Sequence, residues 1–369
     1  MSNVSETDPK RILVYGMSDN PGGIETYLLN LVRQSGNKEV AWDFVTDFPQ
    51  IAYKKELEDA GCRIFYIPAK SKGLLKQWKA FAKILRKHPE YKTVYFNILN
   101  AGAVFTMAVP WIYRKKIIVH SHNGSADSTR LHRLCMPIMN TMAKGFAACS
   151  KQAGEFMFGS KVMRKKQVLF MPNAIDSARY DYDPQIRNQM RTTLGVEGKY
   201  VLCHVGRIVY QKNPKGLIDI FDSCFRKDES CILLWAGTGD MEEEAKAYAK
   251  EKGLGDHVRF LGVRNDINRL MQAADAFLLP SVYEGLPIVA IEAQAAGLPC
   301  FISDTVSKET KIVDDLVKFL PIDDIATWKE AIFQARDMSR ISRKNEIIEA
   351  GYDLNHQQRN LEKLLQMML

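Results

Sequence analysis

Short apolar runs alternate along the chain with longer stretches whose apolar positions recur at helical spacing. The first group of runs falls at 11–16, 40–46, 63–67, 93–97, 116–121, 145–149 and 167–172. Several are nearly continuous, as in Ile12-Leu13-Val14-Tyr15, which is how a strand buried on both faces reads. Helical patterns at 24–34 and 74–87 stand between them, so the alternation predicts βαβ units and a parallel sheet. A polar stretch at 173–198 interrupts the pattern, which then restarts with runs at 200–205, 231–236, 257–261, 276–280 and 299–303. The expected architecture is α/β: two doubly wound domains, 1–172 and 173–354, facing across a cleft. Ligands of such sheets bind beyond the carboxyl ends of the strands, so the loops there are the first place to look for chemistry.

Composition narrows the field. The 369 residues are 46% hydrophobic and 25% charged, a globular balance. The most apolar stretch, 101–119, is broken by Pro110 and by Arg114, Lys115 and Lys116, which argues against a membrane span. The start of the chain is polar and leads directly into a strand, so no signal peptide is expected. Seven cysteines lie dispersed without a CxxC pair, which fits reduced thiols in a cytosolic protein. The net charge of +8 is unevenly divided: through Pro172 there are 26 basic and 13 acidic residues, and from Asn173 onward 25 and 30. A basic first domain points toward an anionic ligand or surface.

Four segments carry candidate chemistry. Gly22 and Gly23 follow the first strand and open a helix, where backbone N–H groups can approach an oxyanion; the same residues also suit a plain tight turn. Gly206-Arg207, with Lys212 and Pro214 after it, follows the first strand of the second domain; Arg supplies a planar fork and Lys a point charge, both suited to a diphosphate. Glu284-Gly285-Leu286-Pro287 lies between a strand and a helix, with Pro287 as its first residue and Gly297 as its stop. Glu292 falls roughly 7–8 Å along that helix from Pro287, at about 1.5 Å per residue. Two carboxylates at that spacing suit hydroxyl-bearing rings flanking a diphosphate held on the Gly285 and Leu286 N–H groups, although Glu292 alone reads more readily as a salt-bridged helix residue. His120 and His122 end a strand of the basic domain; alternation sends both the same way, so spacing does not choose between them. Asp181-Tyr182-Asp183 has the look of a metal-binding DxD, but no strand precedes it, and no metal or cofactor is expected.

Between Lys70 and Lys87 there are seven basic residues and no acidic one, while Leu74, Trp78, Phe81 and Leu85 recur on one side. Such a basic amphipathic helix suits an anionic membrane surface, with the apolar stripe on the core and the lysines toward lipid headgroups. No nucleic-acid-binding pattern accompanies it.

Taken together, these segments resemble the family-4 class of retaining glycosyltransferases with the GT-B fold, and among them bacterial enzymes of exopolysaccharide and capsule assembly. The resemblance covers nearly the whole chain: PGGIETYL (21–28), IIVHSHN (117–123), MPNAID (171–176), HVGRIVYQKNP (204–214), WAGTGD (235–240), FLGVRNDI (260–267) and SVYEGLPIVAIEAQAAGLP (281–299). It implies that Arg207 and Lys212 neutralise the diphosphate of a nucleotide-sugar donor, with Gly206 beside them. Glu292 would bind ribose hydroxyls, Glu284 the transferred sugar, and Gly285, Leu286 and Pro287 would line the sugar and phosphate site. The backbone at Val263 and Arg264 would meet the base, Gly22 and Gly23 would close over the phosphates, and His120, ahead of His122, would contact the donor sugar. The last helix, 355–369, would cross back onto the first domain. The implied reaction transfers a sugar from a UDP-linked donor to a lipid-linked oligosaccharide or related glycan acceptor at the inner face of the cell membrane. Nucleotide-sugar epimerisation or hydrolysis on the same fold is the enzymatic alternative, and a non-catalytic subunit of an assembly complex is another. A dinucleotide oxidoreductase is weakened by the missing glycine fingerprint.

Overall fold

Seven parallel strands, β1 (Lys10–Tyr15), β2 (Val40–Thr46), β3 (Ile64–Tyr66), β4 (Thr93–Ile98), β5 (Lys116–Ser121), β6 (Gly145–Ala148) and β7 (Val168–Phe170), form one sheet in the order β3-β2-β1-β4-β5-β6-β7. Six more, β8 (Tyr200–Val205), β9 (Cys231–Ala236), β10 (Val258–Phe260), β11 (Ala276–Leu279), β12 (Cys300–Ser303) and β13 (Val317–Leu320), form a second in the order β10-β9-β8-β11-β12-β13. These are seen in a computed structural model that describes residues 9–35, 40–123 and 129–369. The chain divides into two compact units, one running to Asn173 and taking in Gln357–Leu369, the other Ala174–His356.

Each sheet is covered on both faces, which is why its strands read as unbroken apolar runs. In β1, Leu13 and Tyr15 pack on one side with Phe81 and Leu85 of helix Leu74–Lys87 and Met107 of helix Val104–Ile112. Ile12 and Val14 pack on the other with Tyr27 and Leu28 of helix Gly23–Gln34. The C-terminal helix Gln358–Met368 adds Leu361, Leu364 and Met368 to this second layer, and Thr93 Oγ1 donates to Met368 O at 2.6 Å. In β8, Leu202 faces Leu217 and Phe221 of helix Pro214–Phe225, while Val201 and Cys203 face Ala290 and Ala293 of helix Ile288–Ala295. A fully buried side chain of this kind contributes roughly 1.5–3 kcal/mol. Asp43, buried in the middle of β2, is paid for by Arg11 Nε (2.5 Å), Tyr91 Oη (2.6 Å) and the Arg63 amide (2.7 Å), all donating to its carboxylate.

The polar stretch 173–198 is not a free linker. Helices Ser177–Tyr180 and Pro184–Leu194 occupy much of it and belong to the second unit. Asp183 caps the second of these by accepting from Gln185 N (2.7 Å), Pro184 starts it and Gly195, at φ 59°, ends it. Its sequence lacks strong apolar contrast because only Met190 is fully inward.

Strand order reverses between β1 and β4 in the first sheet and between β8 and β11 in the second. At such a switch point the loops leaving neighbouring strands diverge and open a crevice at the carboxyl edge.

Candidate functional site

In the second unit the loops after β8 and β11 meet at that switch point. Val282 N donates to Gln211 O (2.8 Å) and Gln211 Nε2 to Tyr283 O (3.1 Å), zipping the two together. Asn213 takes a left-handed conformation (φ 55°) and caps helix Pro214–Phe225, accepting from Gly216 N at 3.2 Å, which fixes the residue before it. As a result Lys212 Nζ forms an ion pair with Glu284 Oε1, both side chains largely shielded, and Ser281 Oγ donates to the same carboxylate oxygen (3.3 Å). Arg207, five residues earlier in the same loop, is exposed, and its guanidinium has no ion-pair or hydrogen-bond partner among the described residues. An unspent cation beside a paired one is an arrangement ready for an anion.

The helix after the second loop is Ile288–Ala295, with Pro287 as its N-cap in extended conformation (φ −72°, ψ 109°) and not as its first residue. No side chain caps this end, so Gly285, Leu286 and the first helical residues present their N–H groups outward from a positive helix terminus. Gly297, at φ 68°, ends the helix, with Leu298 N donating to Ala293 O. Glu292 is largely shielded; burial pushes its carboxyl pKa up, and a hydrogen bond from Tyr180 partly opposes this. Tyr180 belongs to helix Ser177–Tyr180, and its own hydroxyl pKa is raised, by burial first and by the Glu292 charge second.

The remaining predicted residues of this unit lie along the same edge. Gly206 N donates to Ala236 O (2.9 Å), Ile208 N to Thr238 O (3.0 Å) and Gly237 N to Gly262 O (2.8 Å), so the loops after β8, β9 and β10 are laced in sequence. A Cβ on Gly237 would stand 2.1 Å from Gly206 O and one on Gly239 2.2 Å from Ile208 O. Both glycines are therefore required by close backbone approach, a role that WAGTGD did not distinguish from an ordinary turn. Val263 is exposed, and the Arg264 guanidinium is tied to Asp266 by two hydrogen bonds of 2.8 and 2.6 Å.

In the first unit Gly22 and Gly23 are exposed at the start of helix Gly23–Gln34, where Gly22 is the N-cap and no side chain caps it. Glu25, buried in the first turn, accepts from Ser18 N (2.9 Å) and Ser18 Oγ (2.7 Å). The two histidines at the end of β5 sit in different surroundings. His120 is fully buried, its Nδ1 is engaged by Tyr95 Oη (2.6 Å), and that hydroxyl meets Tyr27 Oη (2.9 Å). Its Nε2 has no partner among the described residues. His122 lies just past β5 and is partly exposed; Nε2 meets Asn97 Oδ1 at 2.8 Å and Nδ1 has no partner among the described residues. Burial lowers its pKa to about 3, so the ring is neutral at physiological pH.

Helix Leu74–Lys87 turns Gln77, Phe81 and Leu85 inward, and Trp78 Nε1 donates to Phe105 O (2.7 Å). Lys70, Lys72, Lys76, Lys79, Lys83, Arg86 and Lys87 are all exposed, without an acidic partner among the described ion pairs. Beside them, Leu75, Trp111, Ile112, Leu131, Leu134 and Ile138 are exposed apolar residues of the same unit. No helix among the described residues is long and apolar enough to cross a membrane.

Comparison with known proteins adds the following. A family model described as "Glycosyl transferases group 1" matches residues 185–353. The putative glycosyltransferase EpsF of Bacillus subtilis is 30% identical over 96% of this chain and 95% of its own length. An Escherichia coli enzyme named UDP-Gal:alpha-D-GlcNAc-diphosphoundecaprenol alpha-1,3-galactosyltransferase is 25% identical over 76% of each chain. Among solved structures, HepE of Anabaena in complex with UDP superposes with a TM-score of 0.80 at 21% identity, over 96% of this chain and 99% of that one. Sucrose-phosphate synthase of Thermosynechococcus elongatus does so at 0.71 and 17%, over 97% and 98%. The fold is that of the GT-B glycosyltransferases.

Proposed function

Since the chain belongs to the glycosyl transferases of group 1 and is a glycosyltransferase, we propose that it acts in the retaining, family-4 manner, moving a hexosyl group from a UDP-linked donor to a lipid-linked glycan in surface polysaccharide assembly. The observation that carries the reading is the Lys212–Glu284 pair beside unpartnered Arg207, at the carboxyl edge where β8 and β11 part. Arg207 and Lys212 hold the donor diphosphate, and the uncapped start of helix Ile288–Ala295 contributes N–H groups to it. Such a preorganised positive site stabilises the departing nucleotide as charge builds on its phosphate oxygen. Glu284 then accepts from hydroxyls of the transferred sugar and Glu292, steadied by Tyr180, from the ribose; the backbone at Val263 and Arg264 meets the base. A UDP donor and a diphospho-lipid acceptor agree with the names of the E. coli relative and with the UDP and UDP-glucose complexes of HepE.

The reading places the exposed cations of residues 70–87 against an anionic membrane, near which each contributes about 1 kcal/mol. Calorimetry of the full chain with UDP and UDP-sugars tests the donor assignment. Replacing both Arg207 and Lys212 by Ala should weaken UDP binding by about a hundredfold or more, since hydrogen bonds to charged groups contribute roughly 1.5–3 kcal/mol each. Unchanged affinity overturns it. Release of a free or epimerised sugar in place of a lengthened glycan would assign the fold to the hydrolytic alternative.

A further inference from the structure

His204, the fifth residue of β8, is fully buried and has no part in the chemistry described above. Its ring lies edge-on to Trp235 (5.1 Å between centroids) and parallel to Phe277 (6.4 Å). Nδ1 is 2.8 Å from Leu278 O. A carbonyl only accepts, so Nδ1 carries the proton and Nε2 of the neutral ring is a bare lone pair. That lone pair is buried and has no partner among the described residues.

It lies beside the aliphatic end of the Lys212 side chain, whose Nζ, turned to Glu284, stands outside hydrogen-bond distance of it. A Cβ built on Gly206 would stand 3.2 Å from His204 Nε2 and 3.1 Å from Lys212 Cε, so the two side chains converge on one point over the glycine. The lysine charge also helps keep this imidazole unprotonated, after burial itself. An ammonium has three protons to donate. One goes to Glu284, and in the donor site proposed above a second goes to the diphosphate.

We propose that His204 is a positioning residue for that site, on which the inference rests: when the donor binds and draws Lys212 toward the diphosphate, His204 Nε2 takes the third proton of the ammonium and holds it between Glu284 and the diphosphate. Leu278 fixes the tautomer, and the absence of a side chain on Gly206 leaves the line between the two groups open.

Two substitutions separate this from a packing role. His204→Asn keeps a donor for Leu278 O and removes the acceptor at the Nε2 position; His204→Gln carries a carbonyl oxygen out toward that position and gives up the donor. Both substitutions shrink a packed core side chain and lower the melting temperature, but measured with UDP on folded protein His204→Asn should bind about tenfold more weakly and His204→Gln should recover most of that loss. Wild-type affinity in His204→Asn, or the reverse order of the two, overturns the proposal. A second measurement needs no nucleotide: the ¹⁵N resonance of His204 Nε2 should move when Lys212 is replaced by Met, and an unmoved resonance also overturns it. A Lys212-dependent resonance in a wild-type protein that binds no UDP would remove the donor-site reading and leave the His204–Lys212 contact standing.

Discussion

In the second unit, Arg187, Arg191 and Arg340 turn their guanidinium groups onto backbone carbonyls and Asp275, whereas the first unit holds seven cations between Lys70 and Lys87 out in solvent. The scaffolds are the same, so the difference lies in what the charge is for. Cations that donate to buried carbonyls close helix ends and are spent on folding. Cations with no internal partner add nothing to the fold and are free to meet something outside it. Arg207, in the second unit, is also without an internal partner, and it lies in the loop that carries Lys212 at the carboxyl edge of β8.

The largest effect should come from reversing charge in the first unit. Lys76, Lys79 and Lys83 changed together to Glu should cut retention on anionic vesicles by about a thousandfold or more, at roughly a factor of five per cation removed and again per anion added. Nucleotide affinity and unfolding should not change. If the variant stays on the vesicles, the outward charge of this unit serves some other anion.

The opposite result is expected of Arg340. Its guanidinium donates to Gln272 O (2.8 Å), Ala274 O (2.9 Å), Met271 O (3.3 Å) and Ala296 O, and lies 4.4 Å from the Tyr182 ring. Burial lowers its pKa to about 9, yet it stays charged at neutral pH. Arg340→Met leaves those carbonyls unpaired in the interior and should cost about 3–5 kcal/mol in denaturant unfolding, without a selective effect on vesicle binding.

The sheets were legible because strands buried on both faces announce themselves locally, and the loops at their carboxyl ends came with them. Lys212 and Glu284 were legible separately, as charged residues in loops that follow strands; that β8 and β11 are neighbours and the two side chains pair was not. What escaped is set by contacts between distant segments. Alternation cannot tell His120 from His122; Tyr95 and Tyr27, from other elements, decide which is core. Tyr180 beside Glu292, and the lone pair of His204 over Gly206, depend on packing that no spacing encodes. In the DxD-like triplet Tyr182 lies under Arg340 and Asp183 caps a helix, while Asp181 Oδ1 has no partner among the described residues.

Both units also carry buried neutral histidines, which predicts a shared pH response. His122 and His204 have pKa values near 3, and that of His120 is also well depressed, by burial first in each case. Below the ordinary value of 6.5 the unfolded chain takes up protons that the folded one refuses, so stability present above that pH is lost as pH falls. Between pH 6.5 and 5 each histidine should contribute a slope approaching about 1.4 kcal/mol per pH unit. The raised Glu292 pKa works in the other direction and trims the slope toward the acid end. His204→Asn should flatten the unfolding free energy against pH by one histidine's share; an unchanged slope would mean that His204 is protonated in the fold.

The smallest effect separates a cap from a metal ligand. Asp183 Oδ1 accepts from the Gln185 and Ile186 amides at 2.7 and 3.4 Å, and the Asp183 amide donates to Gln272 Oε1 at 3.1 Å. Asp183→Ala removes the acceptor and should cost about 1 kcal/mol, while Asp183→Asn retains an oxygen in place and should cost a few tenths. A metal ligand would show the reverse emphasis: Asn would lose most of the effect along with the charge, and UDP affinity would depend on Mn²⁺ in the wild type and not in the variant. Equal UDP affinity across the three proteins, with and without Mn²⁺, alongside a stability loss confined to Ala, is the outcome that the hydrogen bonds around Asp183 require.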